Sequence, residues 1–210
     1  MSGSNRIAIS CVFIVLVCVG STFANERVVN HIMSSTGCSR GEAILIERGL
    51  NEFIGEFELR LKFIAESHAP IDTKEERSKE IIKRFFASNK SMVWVSSLTT
   101  GRKTWYYADE YLNHLSHLSE KYTRVTFYFD PMYLGVGKIH RDTDNARAYE
   151  VSLTVKQIFI GRNEEYTYAD DTTKQLWVQF RFEGQKLRFV IQAVTLSETV
   201  PRPEMTLDTR

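Results

Sequence analysis

The sequence predicts an α+β domain in which N-terminal helices pack on a mainly antiparallel sheet. Three observations carry this reading. Apolar residues recur every three or four positions from Ala43 to Ile64, the period falls to two after Met92, and turn residues separate the later alternating runs. Helices followed by a block of strands is the α+β order, with the helices segregated to one face.

The chain opens with one positive residue, Arg6, an apolar run from Ile7 to Val19, and then small and polar residues. That is the layout of a secretory signal peptide, with cleavage expected after Ala24. The run is shorter than the roughly 20 residues a bilayer crossing needs, so no stable membrane span is expected after cleavage, although a retained anchor is the alternative. An exported protein, periplasmic or at the cell surface, is the expected address. Residues 25–38 read as an N-terminal extension, 39–200 as a single domain and 201–210 as a loose tail.

The 27 basic residues nearly balance the 26 acidic ones, which removes the electrostatic case for nucleic acid. Of the three cysteines, Cys11 and Cys18 fall in the signal segment. Cys38 is left without an internal partner, as an idle thiol or an intermolecular link.

Ser39 and Glu42 form a capping-box pattern that starts the first long helix, whose apolar face runs through Ile46, Leu50, Phe53, Phe57 and Leu61. Pro70 ends it. Asp72 and Glu75 repeat the box for a second helix that buries Ile81, Ile82, Phe85 and Phe86. Its mixed-charge remainder, KEERSKEIIKR, reads as a solvated surface. MVWVSS is a short strand, TTGRKT a loop, and ADEYLNHLSHLS a third helix. Strands follow at 125–130, 133–139, 149–160, 176–183 and 187–196, the last two joined at Gly184-Gln185. The stretch ADDTTK between strands reads as a turn in which Asp170 and Asp171 bond to nearby backbone. Neighbouring strand positions point to opposite faces, so the two carboxylates would not share one substrate.

The order helix, helix, strand, helix and then a run of antiparallel strands resembles the nuclear-transport-factor-2-like (SnoaL-like, cystatin-like) superfamily. More narrowly, Gln157, Phe159 and Gly161, the run Tyr168, Asp170, Thr172 and Lys174, and the element YLNHLSHLSEKY resemble exported proteins of Bacteroides-type bacteria. The resemblance implies a strongly curved sheet forming a cone around a pocket. The superfamily holds isomerases, dehydratases and non-catalytic binding domains, so it specifies a fold better than a chemistry.

Several residues are candidates for function. Superfamily enzymes carry Asp, His or Tyr inside the cone; no family catalytic motif transfers onto this chain, and Asp130 at a strand end, His140 at a loop start and Tyr128 are the catalytic candidates by residue type and position. Gln157 shares parity with Val151, Leu153, Val155 and Phe159; a polar group on an apolar face needs a hydrogen bond, from a structural partner or from a ligand. Glu110, His114 and His117 lie on one helical face at metal-ligand spacing but lack a fourth ligand, so no metal is expected. Trp177, Gln179 and Arg181 alternate against the apolar set and suit a protein interface, including a homodimer through the outer sheet. No phosphate-binding glycine loop or nucleophile elbow is present, and no cofactor is expected. The reading is a non-catalytic exported domain binding a small ligand or an envelope protein. The alternatives are a small acid-base enzyme of isomerase or dehydratase type and a structural subunit of an envelope assembly.

Overall fold

A computed structural model describes residues 25–66, 68–141, 148–184 and 186–204. The expected signal segment, its two cysteines, and the end of the tail lie outside these residues. Helices α1 (Glu26–Thr36), α2 (Arg40–Glu66) and α3 (Ile71–Phe85) precede strands β1 (Met92–Ser97) and β2 (Arg102–Tyr107). Helices α4 (Ala108–Ser116) and α5 (Leu118–Lys121) then lead into β3 (Arg124–Arg141), β4 (Ala148–Arg162), β5 (Thr167–Glu183) and β6 (Lys186–Pro201). No helix among the described residues is long and apolar enough to cross a membrane.

The strands form one six-stranded sheet in the order β2-β1-β6-β5-β4-β3, antiparallel except where β1 meets β6. Register shifts interrupt β3–β4 and β5–β6. Such bulges add local twist, and here they accompany the curl of a long-stranded sheet that stays unclosed. One face meets the helices. Val151 and Leu153 of β4, Leu176 and Val178 of β5, and Ile191 of β6 join Phe53, Phe57, Leu61 and Phe85 in the core. This is the helix-backed curled sheet the sequence predicts.

The segment expected as an extension is a core helix. Asn25 caps α1 through its side chain, and Val29 and Ile32 are fully buried. A ring nitrogen of His31 bonds the Gly137 carbonyl at 2.7 Å and ties this helix to β3. Cys38 is half-buried against the same core. Ser39 and Glu42 bond reciprocally, as their spacing implies.

Three other expectations are corrected. ADDTTK is not a turn, because β5 begins at Thr167 and these residues pair with both β4 and β6. The turn is made earlier by Asn163, whose Oδ1 accepts from the backbone nitrogens of Glu165 and Tyr166, each at 2.9 Å. The charged remainder of α3 is not wholly solvated: Lys74 is buried and its Nζ donates to the Ser116 carbonyl at 3.2 Å and to Ser119 Oγ at 3.3 Å. The start of the tail is held, with Arg202 Nη1 2.6 Å from Asp171 Oδ1 and Arg202 N bonded to the Ala169 carbonyl.

Gly161, where β4 ends, meets the Tyr122 ring so closely that a Cβ would stand 2.8 Å from three of its carbons. A ring packed against a sheet has little room to retreat. Gly161→Ala is therefore expected to destabilise the fold by about 1–3 kcal/mol, measured as a lowered urea midpoint.

Candidate functional site

Two-residue alternation along β4, β5 and β6 divides the inner face into an apolar end and a polar end. At the polar end the paired positions are Val155 with Lys174, Gln157 with Thr172 and Phe159 with Asp170, and Thr199 of β6 stands beside Thr172. Gln157, Asp170, Thr172 and Lys174 are all buried. A β5–β6 register shift falls between Thr173 and Lys174, beside this group.

Most polar atoms here are paired with one another. Thr172 Oγ1 donates to Asp170 Oδ1 at 3.1 Å and lies 3.1 Å from Thr199 Oγ1, which contacts Ser96 Oγ. The Tyr168 hydroxyl bonds the Asp170 carboxylate and accepts from Leu98 N at 3.2 Å. Two groups stay open. Gln157 Oε1 is buried and has no hydrogen-bond partner among the described residues. Lys174 has neither a hydrogen bond nor a close ion pair among the described residues, and its Nζ lies 5.3 Å over the Tyr111 ring of α4.

Burial sets the protonation chemistry. Loss of solvent pushes the Lys174 amine down to about 8, against a weaker opposing pull from Asp170. The same loss raises the Asp170 carboxyl, even though Tyr168, Thr172 and Lys174 all favour its charged form. Asp171, one residue on, faces the other way. Its partial burial would raise its pKa, but Lys156 Nζ at 2.7 Å and Arg202 at 2.6 Å override that and hold it below the ordinary aspartate value. Alternation thus gives adjacent carboxylates opposite environments, as the sequence implies.

An open cavity of about 640 Å³ adjoins this end, with Leu98, Thr99, Lys121, Tyr122, Tyr166 and Tyr168 in its wall. Tyr168 links the cavity wall to Asp170, since its side chain reaches both.

Of the sequence candidates, only Gln157 lies in this group. Tyr128 pairs with Ile158 and His140 with Glu150, both on the face opposite Phe127, Phe129 and Ile139, and His140 is exposed. Asp130 follows the same parity and sits near enough to Lys156 to raise its pKa. These three catalytic candidates are therefore corrected to the outer face by strand alternation. Glu110 accepts from Tyr107 N at 3.0 Å at the start of α4, His114 packs on Tyr106 at 4.6 Å, and His117 bonds the Asn113 carbonyl at 2.9 Å. No cluster of three metal-ligating side chains occurs among the described residues. Trp177 is 41% exposed on the outer face, and Arg181 is bound to Glu183. Gln179 and Arg181 share a shallow surface pocket with Arg188 and Gln192. The composition around Asp170, Thr172 and Lys174 signals a turn and hides them as site residues; their common parity with Leu176 and Val178 is the available clue.

A scan of protein-family models finds no match, and a search of curated proteins finds none either. A search of solved structures finds distant similarities. A protein provisionally named scytalone dehydratase, from Novosphingobium aromaticivorans, is 12% identical over 85% of this chain and 99% of its own, with a TM-score of 0.41. A designed nuclear-transport-factor-2-like protein with a long sheet is 14% identical over 70% and 97%, with a TM-score of 0.36. The Kfla4162 protein of Kribbella flavida is 9% identical over 73% and 94%, with a TM-score of 0.41.

The Lys174 environment predicts a pH signature. The folded state releases this proton near pH 8, whereas the unfolded chain holds it to about 10.5. The unfolded state binds more protons between these values, so stability rises with pH across that window. In Lys174→Met this rise is lost, a difference of at most about 1.4 kcal/mol per pH unit, seen by comparing denaturation midpoints of both proteins from pH 7 to 10.

Proposed function

We propose that this chain is an exported, non-catalytic domain that holds a small, uncharged, polar ligand at the polar end of its inner sheet face. The observation that carries this is the buried, unpartnered Gln157 Oε1 beside Lys174. An orphaned buried acceptor costs about 1–3 kcal/mol, and a ligand hydroxyl or N–H would offset it. Lys174 supplies a donor for a ligand oxygen. Since Lys174 and Asp170 already balance in charge, a charged ligand would add an uncompensated buried charge, and a neutral one does not. Tyr111 and Phe129 supply apolar walls. Export rests on the signal-like character of residues 1–24.

A second reading is acid-base catalysis at the same place. It is supported by an amine and a carboxyl whose pKa values burial drives toward neutrality from opposite sides. A protein-contact reading attaches to the outer face, where Trp177, Met92 and Trp105 are exposed.

Native mass spectrometry of the protein from its natural source tests the leading reading, with excess mass lost on denaturation as the expected result. Gln157→Leu should abolish that excess mass while leaving stability within about 1 kcal/mol of the parent or above it, because the orphaned acceptor is gone. A clean polypeptide mass, with no movement of the Gln157 amide resonance across a library of small polar compounds, would overturn the reading.

A further inference from the structure

We propose that Lys174 is a reactive amine that captures an aldehyde or ketone inside the sheet as a reversible imine. This rests on the interior-binding reading and names the ligand class for it. Three lysines among the described residues are buried or half-buried, and two are engaged. Lys74 donates to Ser116 and Ser119, and Lys156 is paired with Asp171. Lys174 alone of the three has no hydrogen bond or close ion pair among the described residues; its contacts are the face of Tyr111 and a longer-range attraction to Asp170. The residue is 4% exposed, so it is not wholly sealed from solvent.

An amine reacts with a carbonyl only when unprotonated, and desolvation is a recognised way to keep a lysine so. At about 8 rather than 10.5, roughly two to three hundred times more of Lys174 is free amine at pH 7 than of an ordinary lysine. The titratable groups that interact with it are Asp170 and Tyr111. Burial holds the Tyr111 phenol protonated, and Asp171 points away to Lys156 and Arg202. Asp170, four positions back on the same strand face and beyond direct hydrogen-bond reach, therefore carries the proton through an intervening water, and burial makes it more willing to hold a proton than an ordinary aspartate.

The chemistry balances without an oxidant. The Lys174 nitrogen pair attacks the carbonyl carbon, the carbonyl π pair moves to oxygen, and transfer of one nitrogen-bound proton gives the carbinolamine. The C–O bond then breaks as Asp170 supplies a proton, water leaves, and the nitrogen pair forms the C=N bond. The remaining nitrogen-bound proton returns to the Asp170 carboxylate. Gln157, diagonal to Lys174 across β4–β5, lies about 7–8 Å away between Cα atoms and can accept from a hydroxyl or N–H elsewhere on the ligand.

Propanal with sodium cyanoborohydride tests this on the full chain at pH 7, because the reductant fixes an imine as a propyl-lysine that peptide mapping locates. Lys174 is expected to be alkylated at least about ten times faster than the exposed Lys79 or Lys83, with a rate that climbs with pH and levels off above 8. Lys174→Met should leave only the surface pattern. Labelling that follows surface exposure, with Lys174 unmodified, overturns the proposal. If the Gln157 side-chain amide resonance still shifts on adding propanal in that case, covalent capture alone fails; no shift and no label would sink interior binding of this ligand class as well.

Discussion

Desolvation of Lys174 and Asp170 is the constraint around which the polar end of the sheet is arranged. Each charge taken from water costs several kcal/mol, and mutual attraction offsets this only at close range with further hydrogen bonds. Asp170 has those bonds, from Thr172 and Tyr168. Lys174 does not, and its amine responds by losing basicity. Asp171 shows what the same strand does when stability alone is served: both neighbouring cations are placed within 2.7 Å of its carboxylate. The fold thus builds a complete ion-pair network on one face and leaves an incomplete one on the other.

The helices fix that incompleteness in place. Tyr111 covers Lys174 from α4, so the position of α4 decides how dry the amine is. Glu110 holds the start of this helix through Tyr107 N, and Lys74 of α3 holds its end through the Ser116 carbonyl. A buried ammonium at a helix C-terminus satisfies carbonyls that lack intrahelical donors and meets the negative end of the helix dipole. Ser78 adds a 3.4 Å contact to Ser116 from the same face of α3. The two buried lysines therefore divide the work: one anchors the roof, and the other lies beneath it.

The helices were legible because their apolar period persists: residues from Ala43 to Ile64 predicted α2 and its buried face, and Ser39 with Glu42 predicted its start. The β4 face from Val151 to Phe159 was equally clear, and it singled out Gln157. What failed was the polar end. Asp-Asp-Thr-Thr-Lys carries turn composition, and only pairing with strands on both sides makes it sheet. Local sequence cannot report that pairing. Alternation separates two faces without saying which one the helices cover, so the sequence alone does not put Tyr128, Asp130 and His140 on the outer face. Nothing near Lys74 in sequence shows that α4 ends against it.

A buried polar network that serves structure alone tends to close on itself, since each open group costs more than a hydrogen bond returns. Here Ser96, Thr199, Thr172, Asp170, Tyr168 and the Leu98 amide form one continuous chain of contacts. Beside it, an acceptor, Gln157 Oε1, and a donor, the Lys174 amine, have no hydrogen bond among the described residues. They occupy adjacent strands at diagonal positions, within reach of one small molecule. Replacing either by leucine or methionine would remove the cost at once, with an apolar side chain suited to neighbours such as Phe129 and Val155. An easy apolar alternative at both positions, with opposite hydrogen-bonding capacity left side by side, is the feature that the proposed ligand site accounts for.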